Sequence, residues 1–259
     1  MYSDIIITKH NRTGLITLNK PERHNSLNAI MIKELTEGVN SLCRQNEIRV
    51  IVVTGAESAF CAGMDIGYVK DSMAKTHEEN VEDARNLLKL LLTVQNAKKI
   101  TIAMVNGPAL GGGCGLSAAC DYVFAADSKT KFGVPEVKLG FVPAVILSFL
   151  MKRMGEGRSR EFVLSGEIAE PVKAKWYGLV TDIIPLNQLH SVVFEFADQL
   201  AASTSPSSIA FTKELFMRMD EMSYRDGIDF AVNLNAMVRK TEDFKKGMES
   251  FLKKEKIQW

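Results

Sequence analysis

Three consecutive glycines, Gly111, Gly112 and Gly113, stand between a β-branched run that ends at Val105 and a small-residue segment that reads as a helix. Glycine lets a ligand or a second backbone approach bare main chain, and the first N–H groups of the following helix have no partner within it. Such a site stabilises negative charge developing on an oxygen. The chain continues to FGVPEVKLGFVPA, where one carboxylate, Glu136, follows Pro135 among Phe132, Val134 and Val137. Poor solvation there should lift the pKa of Glu136 towards a range useful for moving protons. Together the two features suit chemistry on a polarised carbonyl.

Each feature has a plainer alternative. A glycine triplet read alone also lets a helix lie close to a strand. Glu136 at a helix start could serve the helix dipole or pair with Lys138. Other glycine-loop chemistries fit less well. GGGCG does not match G-x-G-x-x-G, whose third glycine would fall at Leu116, and Asp121 is too close to act as that motif's ribose acid. No Gly-Lys-Ser/Thr follows, which excludes a P-loop. Cys114 sits where thiolates are favoured, but no histidine is near it in sequence, so it reads as a packed small residue.

Charge and length narrow the function. The 259 residues carry 32 basic and 31 acidic side chains, so no global field draws the chain to nucleic acid or an anionic membrane. With 46% hydrophobic residues the chain can bury a sizeable core. Cys43, Cys61, Cys114 and Cys120 form no C-x-x-C pair and read as reduced thiols. Scattered His and Cys suggest no metal site. No signal peptide or membrane-length apolar run is visible, and a cytoplasmic location is the expectation.

Ile5–Thr8 and Leu15–Leu18 read as a hairpin-like strand pair, and Val50–Thr54, Thr101–Val105 and Tyr122–Ala125 as further strands. Helical spacing marks Leu27–Gln45, with Asn28 able to cap it, and Val81–Asn96. Strand–helix alternation argues α/β with a largely parallel sheet. After Pro143 the pattern is mainly helical: Val145–Met154, Ser159–Leu164, Pro171–Tyr177, Leu186–Ala202, Ser205–Met219 and Tyr224–Val238. Texture changes near residue 200, which divides the chain into 1–200 and a helical 201–259.

NGPALGGGCGL…ACD followed by FGVPEVKLGFVP resembles the enoyl-CoA hydratase/isomerase (crotonase) family. So do ITLNKPERHNSLN, IVVTGAESAFCAGMDI with its AG-x-D turn, and the tail TEDFKKGMESFLKKEKIQW. Four matches in order cover nearly the whole chain. The resemblance implies a crotonase-like ββα spiral core and C-terminal helices that drive formation of a trimer, or of a hexamer as a dimer of trimers. It implies that the backbone N–H groups of Met64 and Gly112 form an oxyanion hole for an acyl-CoA thioester, lined by Gly63, Gly111 and Gly115. The Lys20–Leu27 loop and the Ala62–Ile66 turn would hold CoA, with Lys20 and Arg23 able to face phosphates and the backbone at Ala62 and Ile66 meeting adenine; Arg23 reads equally as a solvated loop charge. Lys245 or Lys253 would reach a neighbouring subunit's CoA. Asp65 more plausibly holds its turn. Tyr68, Met73 and Leu88 are candidates for the acyl wall and equally for a mobile or core-packing role; His77 reads as surface, and His24 has no assigned role. No cofactor is implied beyond the CoA of the substrate.

The sequence departs from the family's two-glutamate hydratases in one place. Their first glutamate would stand at Gly115, leaving Glu136 as the only matching carboxylate. One base can move a double bond, which implies an isomerase. Yet Pro143-Ala144, with EVKLGFVPAVI, is similar to a branch acting on methyl-branched or carboxylated enoyl-CoAs, which includes methylglutaconyl-CoA hydratase-like proteins. The expectation leans slightly to hydration or dehydration with a single glutamate, with double-bond isomerisation as the alternative. A non-catalytic CoA- or RNA-binding member is a third reading.

Overall fold

A computed structural model describes residues 2–259. Its frame is a six-stranded sheet whose strands, in spatial order, are residues 5–10, 13–18, 50–55, 100–105, 122–126 and 182–184. The chain opens with β1 (Ile5–His10) and β2 (Thr13–Leu18), paired antiparallel. Helix α1 (Ala29–Cys43) follows, capped by the Asn28 side chain, which accepts from the Met31 amide at 2.8 Å. Next come β3 (Val50–Gly55), α2 (Ile66–Ser72), α3 (His77–Gln95), β4 (Ile100–Val105), β5 (Ala109–Leu110), α4 (Gly112–Ala119), β6 (Tyr122–Ala126) and β7 (Phe132–Gly133). The chain continues through α5 (Ala144–Met154), α6 (Glu156–Ser165), β8 (Ile168–Ala169), α7 (Pro171–Tyr177), β9 (Asp182–Ile184) and α8 (Leu189–Ser203). Three helices end it: α9 (Pro206–Glu221), α10 (Tyr224–Val238) and α11 (Glu242–Lys253).

Beyond the first hairpin every pair in the large sheet is parallel. Both faces are covered, which is why β3 and β4 are buried at every residue. Alternation still sorts the side chains. Ile51, Val53, Ala103 and Val105 join the core beneath α1, α3 and α4, while Val50, Val52, Ile100, Ile102 and Met104 face Leu189, Val193, Ala197 and Ala201 of α8.

The expected strands and helices form, with differences at their ends. Helix α3 starts at His77 rather than Val81, because Thr76 and Glu79 make a reciprocal capping box. Helix α4 starts at Gly112, so two of the three glycines lie in its first turn rather than before the helix as expected. The two-residue strands and β9 carry too few residues for a readable period. They still matter, because β5, β7 and β8 form a second sheet in which β5 and β7 run parallel. No described helix is long and apolar enough to cross a membrane.

Candidate active site

The small sheet brings the glycine run to Glu136. Strand β5 leads into Gly111 and α4, and β7 leads into a tight 3-10 turn, Pro135–Leu139, that carries Glu136. Parallel neighbours deliver the residues after them side by side, and the Gly111 amide donates to the Gly133 carbonyl at 2.8 Å. Gly111 sits at φ 48°, ψ −118°, a conformation costly for any residue with a Cβ. Space forbids a side chain as well: a Cβ there would lie 2.7 Å from Glu136 Oε1. The carboxylate therefore lies against bare backbone at the entrance of α4.

A second loop closes on the same point. Leu27 pairs with Met64 as an isolated parallel bridge, its amide donating to Gly63 O at 2.7 Å and its carbonyl accepting from Asp65 N at 2.9 Å. A Cβ on Gly112 would be 3.9 Å from the Met64 amide nitrogen, so the two proposed donors are close neighbours. Among the described residues no protein acceptor takes either amide. Gly112 begins α4, where the free N–H is inherent to the helix and lies at its positive end. Two unpaired donors beside a carboxylate can stabilise an oxyanion while a proton moves.

Burial raises the pKa of Glu136, opposed in part by its own backbone amide. Oε2 is buried with no hydrogen-bond partner. The sequence expectation of an apolar setting holds for Phe132 and Val134, both fully buried, but Val137 is 36% exposed and adds less than expected. Lys138 forms no ion pair with Glu136 among the described residues; its stem lies instead against Gly166. The Cys114 thiol is fully buried and its pKa is driven up, by burial first and then by Glu136, which fits a packed group rather than a nucleophile.

Other candidate residues divide. Asp65 caps α2, with Oδ1 accepting from Tyr68 N at 3.1 Å and Oδ2 from the Ser26 hydroxyl at 3.2 Å; these bonds hold its pKa down. Lys20 is already engaged, its Nζ 3.2 Å from Asp4 Oδ2. Arg23 is exposed, and Ile66 is 86% exposed at the head of α2. Ala62 donates its amide to His24 O at 3.0 Å, joining the two loops. Tyr68 lies against the Lys75 ammonium, 4.3 Å from its ring centroid, and Lys75 in turn pairs with Asp83 of α3. Met73 is 80% exposed. Leu88 faces a surface groove with Asn40, Cys43 and Arg44, away from the glycine run, because Leu87, Leu90 and Leu91 form the inward stripe of α3. His77 is an exposed residue of the first turn of α3. No cluster of three metal-ligating side chains occurs among the described residues.

Two residues that sequence reasoning passed over shape the site. Asn25, fully buried, accepts from Lys20 N and donates to the carbonyls of Ala56 and Ala59 at 2.9 and 2.8 Å, fixing the loop before Leu27. Its φ is 55°, a region asparagine tolerates, and the available signal was an asparagine in the loop after Pro21. Ile146 of α5 is the other. A Cβ on Gly115 would lie 2.4 Å from Ile146 Cγ2 and 2.7 Å from Ile146 Cβ, so α5 occupies the space a side chain at 115 would need.

A largely parallel sheet, with unpaired amides and a poorly solvated carboxylate meeting at a helix entrance, is an arrangement that can polarise a carbonyl and move a proton beside it. A family model for enoyl-CoA hydratase/isomerase matches residues 8–259, and the chain belongs to that family, whose members act on acyl-CoA thioesters. A Thermus thermophilus relative is 35% identical over 241 residues, 93% of this chain and 94% of its own length. The Escherichia coli 2,3-dehydroadipyl-CoA hydratase is 32% identical, with 97% of this chain and 96% of that one covered. Among solved structures, an enoyl-CoA hydratase from Shewanella pealeana superposes with a TM-score of 0.91 at 27% identity, covering 99% of this chain and 96% of that one. The fold is the crotonase fold.

Proposed function

We propose that this enzyme adds water to, or removes it from, an enoyl-CoA thioester, with Glu136 as its single catalytic carboxylate. The thioester oxygen sits between the amides of Met64 and Gly112. In the hydration direction a water oxygen bonds to Cβ, its proton passes to Glu136, and the π pair moves onto the thioester oxygen as an enolate. The enolate collapses as Glu136 returns a proton to Cα. No cofactor enters these steps. One oxyanion donor of this kind is worth about 2.7–4 kcal/mol of transition-state stabilisation. The observation that carries this reading is the Glu136 carboxylate packed on Gly111, next to two unpaired amides. The hydratase names of the relatives incline it towards water chemistry.

Double-bond isomerisation is the second reading, and a specific observation favours it: the Gly115 position is closed by Ile146 and cannot hold another carboxylate. The substrate binds, in this proposal, with CoA along the Lys20–Leu27 and Ala62–Ile66 segments. Residues 201–259 serve as a separate assembly region for a trimer or dimer of trimers, a role that fits exposed Phe216, Val232, Phe251 and Leu252. The test is to incubate the protein with crotonyl-, 3-hexenoyl- and 3-methylglutaconyl-CoA in deuterated water. Water addition that disappears in Glu136→Gln supports the lyase; double-bond migration without hydration replaces it with the isomerase.

A further inference from the structure

The first two turns of α4 meet two neighbours in succession. At Gly111 the space for a side chain is taken by the Glu136 carboxylate, and at Gly115 by Ile146. The two glycines are one helical turn apart, with Gly115 N donating to Gly111 O at 3.0 Å. Ile146 is 3% exposed, and Phe149 and Leu150 bury the rest of its face of α5. Cys114, the one titratable side chain of α4, is a fully buried thiol. Lys138, on the turn that carries Glu136, leans against Gly166, and β5 and β7 contribute no charged side chain. The buried Oε2 of Glu136 has no protein partner in these surroundings.

We infer that Ile146 is a specificity-determining residue: by sealing the second turn of α4 it denies the hydrating water room and a polar partner on the α5 side of Glu136, and so sets the balance between hydration and double-bond migration. This rests on the reading of Glu136 as the proton carrier. Migration needs no water. Glu136 takes a proton from Cα, the electron pair shifts through the thioester enolate, and the same proton is delivered to Cγ. Hydration needs a held water oxygen to form the bond to Cβ. An apolar seal leaves that water to be positioned by Glu136 and the open side of the site alone. A hydroxyl on the α5 side would give it another hydrogen bond.

The test is the ratio of two initial rates measured separately, hydration of 2-hexenoyl-CoA to 3-hydroxyhexanoyl-CoA and isomerisation of 3-hexenoyl-CoA to 2-hexenoyl-CoA. Ile146→Thr and Ile146→Val differ in polarity but hardly in shape. Ile146→Thr should raise the ratio roughly five- to tenfold over Ile146→Val, the rate equivalent of about one added hydrogen bond. Ile146→Val should keep the parent ratio. A mere packing defect lowers both rates together and leaves their ratio unchanged, which overturns the inference. Ile146→Ala is the second opening variant should Ile146→Thr fold poorly, and it too should raise the ratio. Glu136→Gln separates the two claims. If it abolishes both products while Ile146→Thr and Ile146→Ala leave the ratio unmoved, the role of Ile146 falls and that of Glu136 stands. If Glu136→Gln retains turnover, both fall.

Discussion

Replacing Glu136 with glutamine should stabilise the protein while abolishing turnover. The wild-type carboxylate is buried enough to raise its pKa, and Oε2 finds no protein donor. Glu136 is only half-buried, so its ionised form costs near the low end of the about 1–3 kcal/mol of a buried unsatisfied group. Glutamine keeps the shape and removes the charge, so much of that cost is recovered. For a chain of this size ~1 kcal/mol corresponds to about 2–4 °C in Tm. The pH dependence follows from the direction of the shift. A carboxyl whose folded pKa is raised is protonated in both states below its unfolded value near 4.5, where it costs nothing. As pH rises through the folded pKa, the unfolded state ionises more readily and the wild type loses stability relative to Glu136→Gln. Thermal unfolding of both proteins between pH 4 and pH 8 should show Tm curves that nearly meet at the acid end and separate towards neutrality, with the variant higher. A variant that is less stable at pH 7, or a gap of constant size, would refute the uncompensated burial on which the catalytic assignment leans. Stability gained together with lost turnover is what a strained functional group gives.

Gly111→Ala should lose about 1–3 kcal/mol of stability from its positive φ, and its Cβ should displace Glu136 Oε1 from 2.7 Å. Its kcat should fall much more than its KM rises, and a change confined to KM would contradict the placement. Asn25→Ala leaves the carbonyls of Ala56 and Ala59 without their donor, a loss of roughly 1–3 kcal/mol, and loosens the Lys20–Leu27 loop. CoA affinity by calorimetry should weaken; unchanged affinity would remove that loop from the CoA site. Asp65→Ala removes the cap of α2, at a cost of about 1 kcal/mol. Proteolysis within 66–72 should accelerate, and equal rates would mean the cap is not what orders the turn.

The large sheet was legible because its strands are continuous β-branched runs, and a strand buried on both faces can be written in few other ways. Val50–Gly55 and Ile100–Val105 lie close to where their composition puts them. The helices were legible from caps and period, and α3 starts earlier than expected because Thr76-x-x-Glu79 is a capping box, a signature the sequence carries and the apolar period alone does not show. The two-residue strands escaped detection, and with them the reason Glu136 meets the glycines. Residues 109–110 and 132–133 bear no periodic signal, and their pairing is decided by partners more than twenty positions apart.

Gly115 marks the point where sequence reading ended. As a letter in the chain it states only that a glutamate is missing, and the same letter would stand beside an open, water-filled pocket or beside a sealed wall. The two cases predict different chemistry. An open pocket could admit a water to replace the lost carboxylate; a wall could not. What distinguishes them is a residue thirty-one positions later on another helix, whose Cγ2 would stand 2.4 Å from a side chain at 115. Ile146 reads in sequence as one more apolar residue of an amphipathic helix, since its packing against α4 depends on how α4 and α5 cross. The absent carboxylate is therefore matched by an apolar side chain that fills its space, so restoring the acid requires two changes. Gly115→Glu alone should fail to fold or should displace α5, whereas Gly115→Glu combined with Ile146→Gly has room for the new side chain.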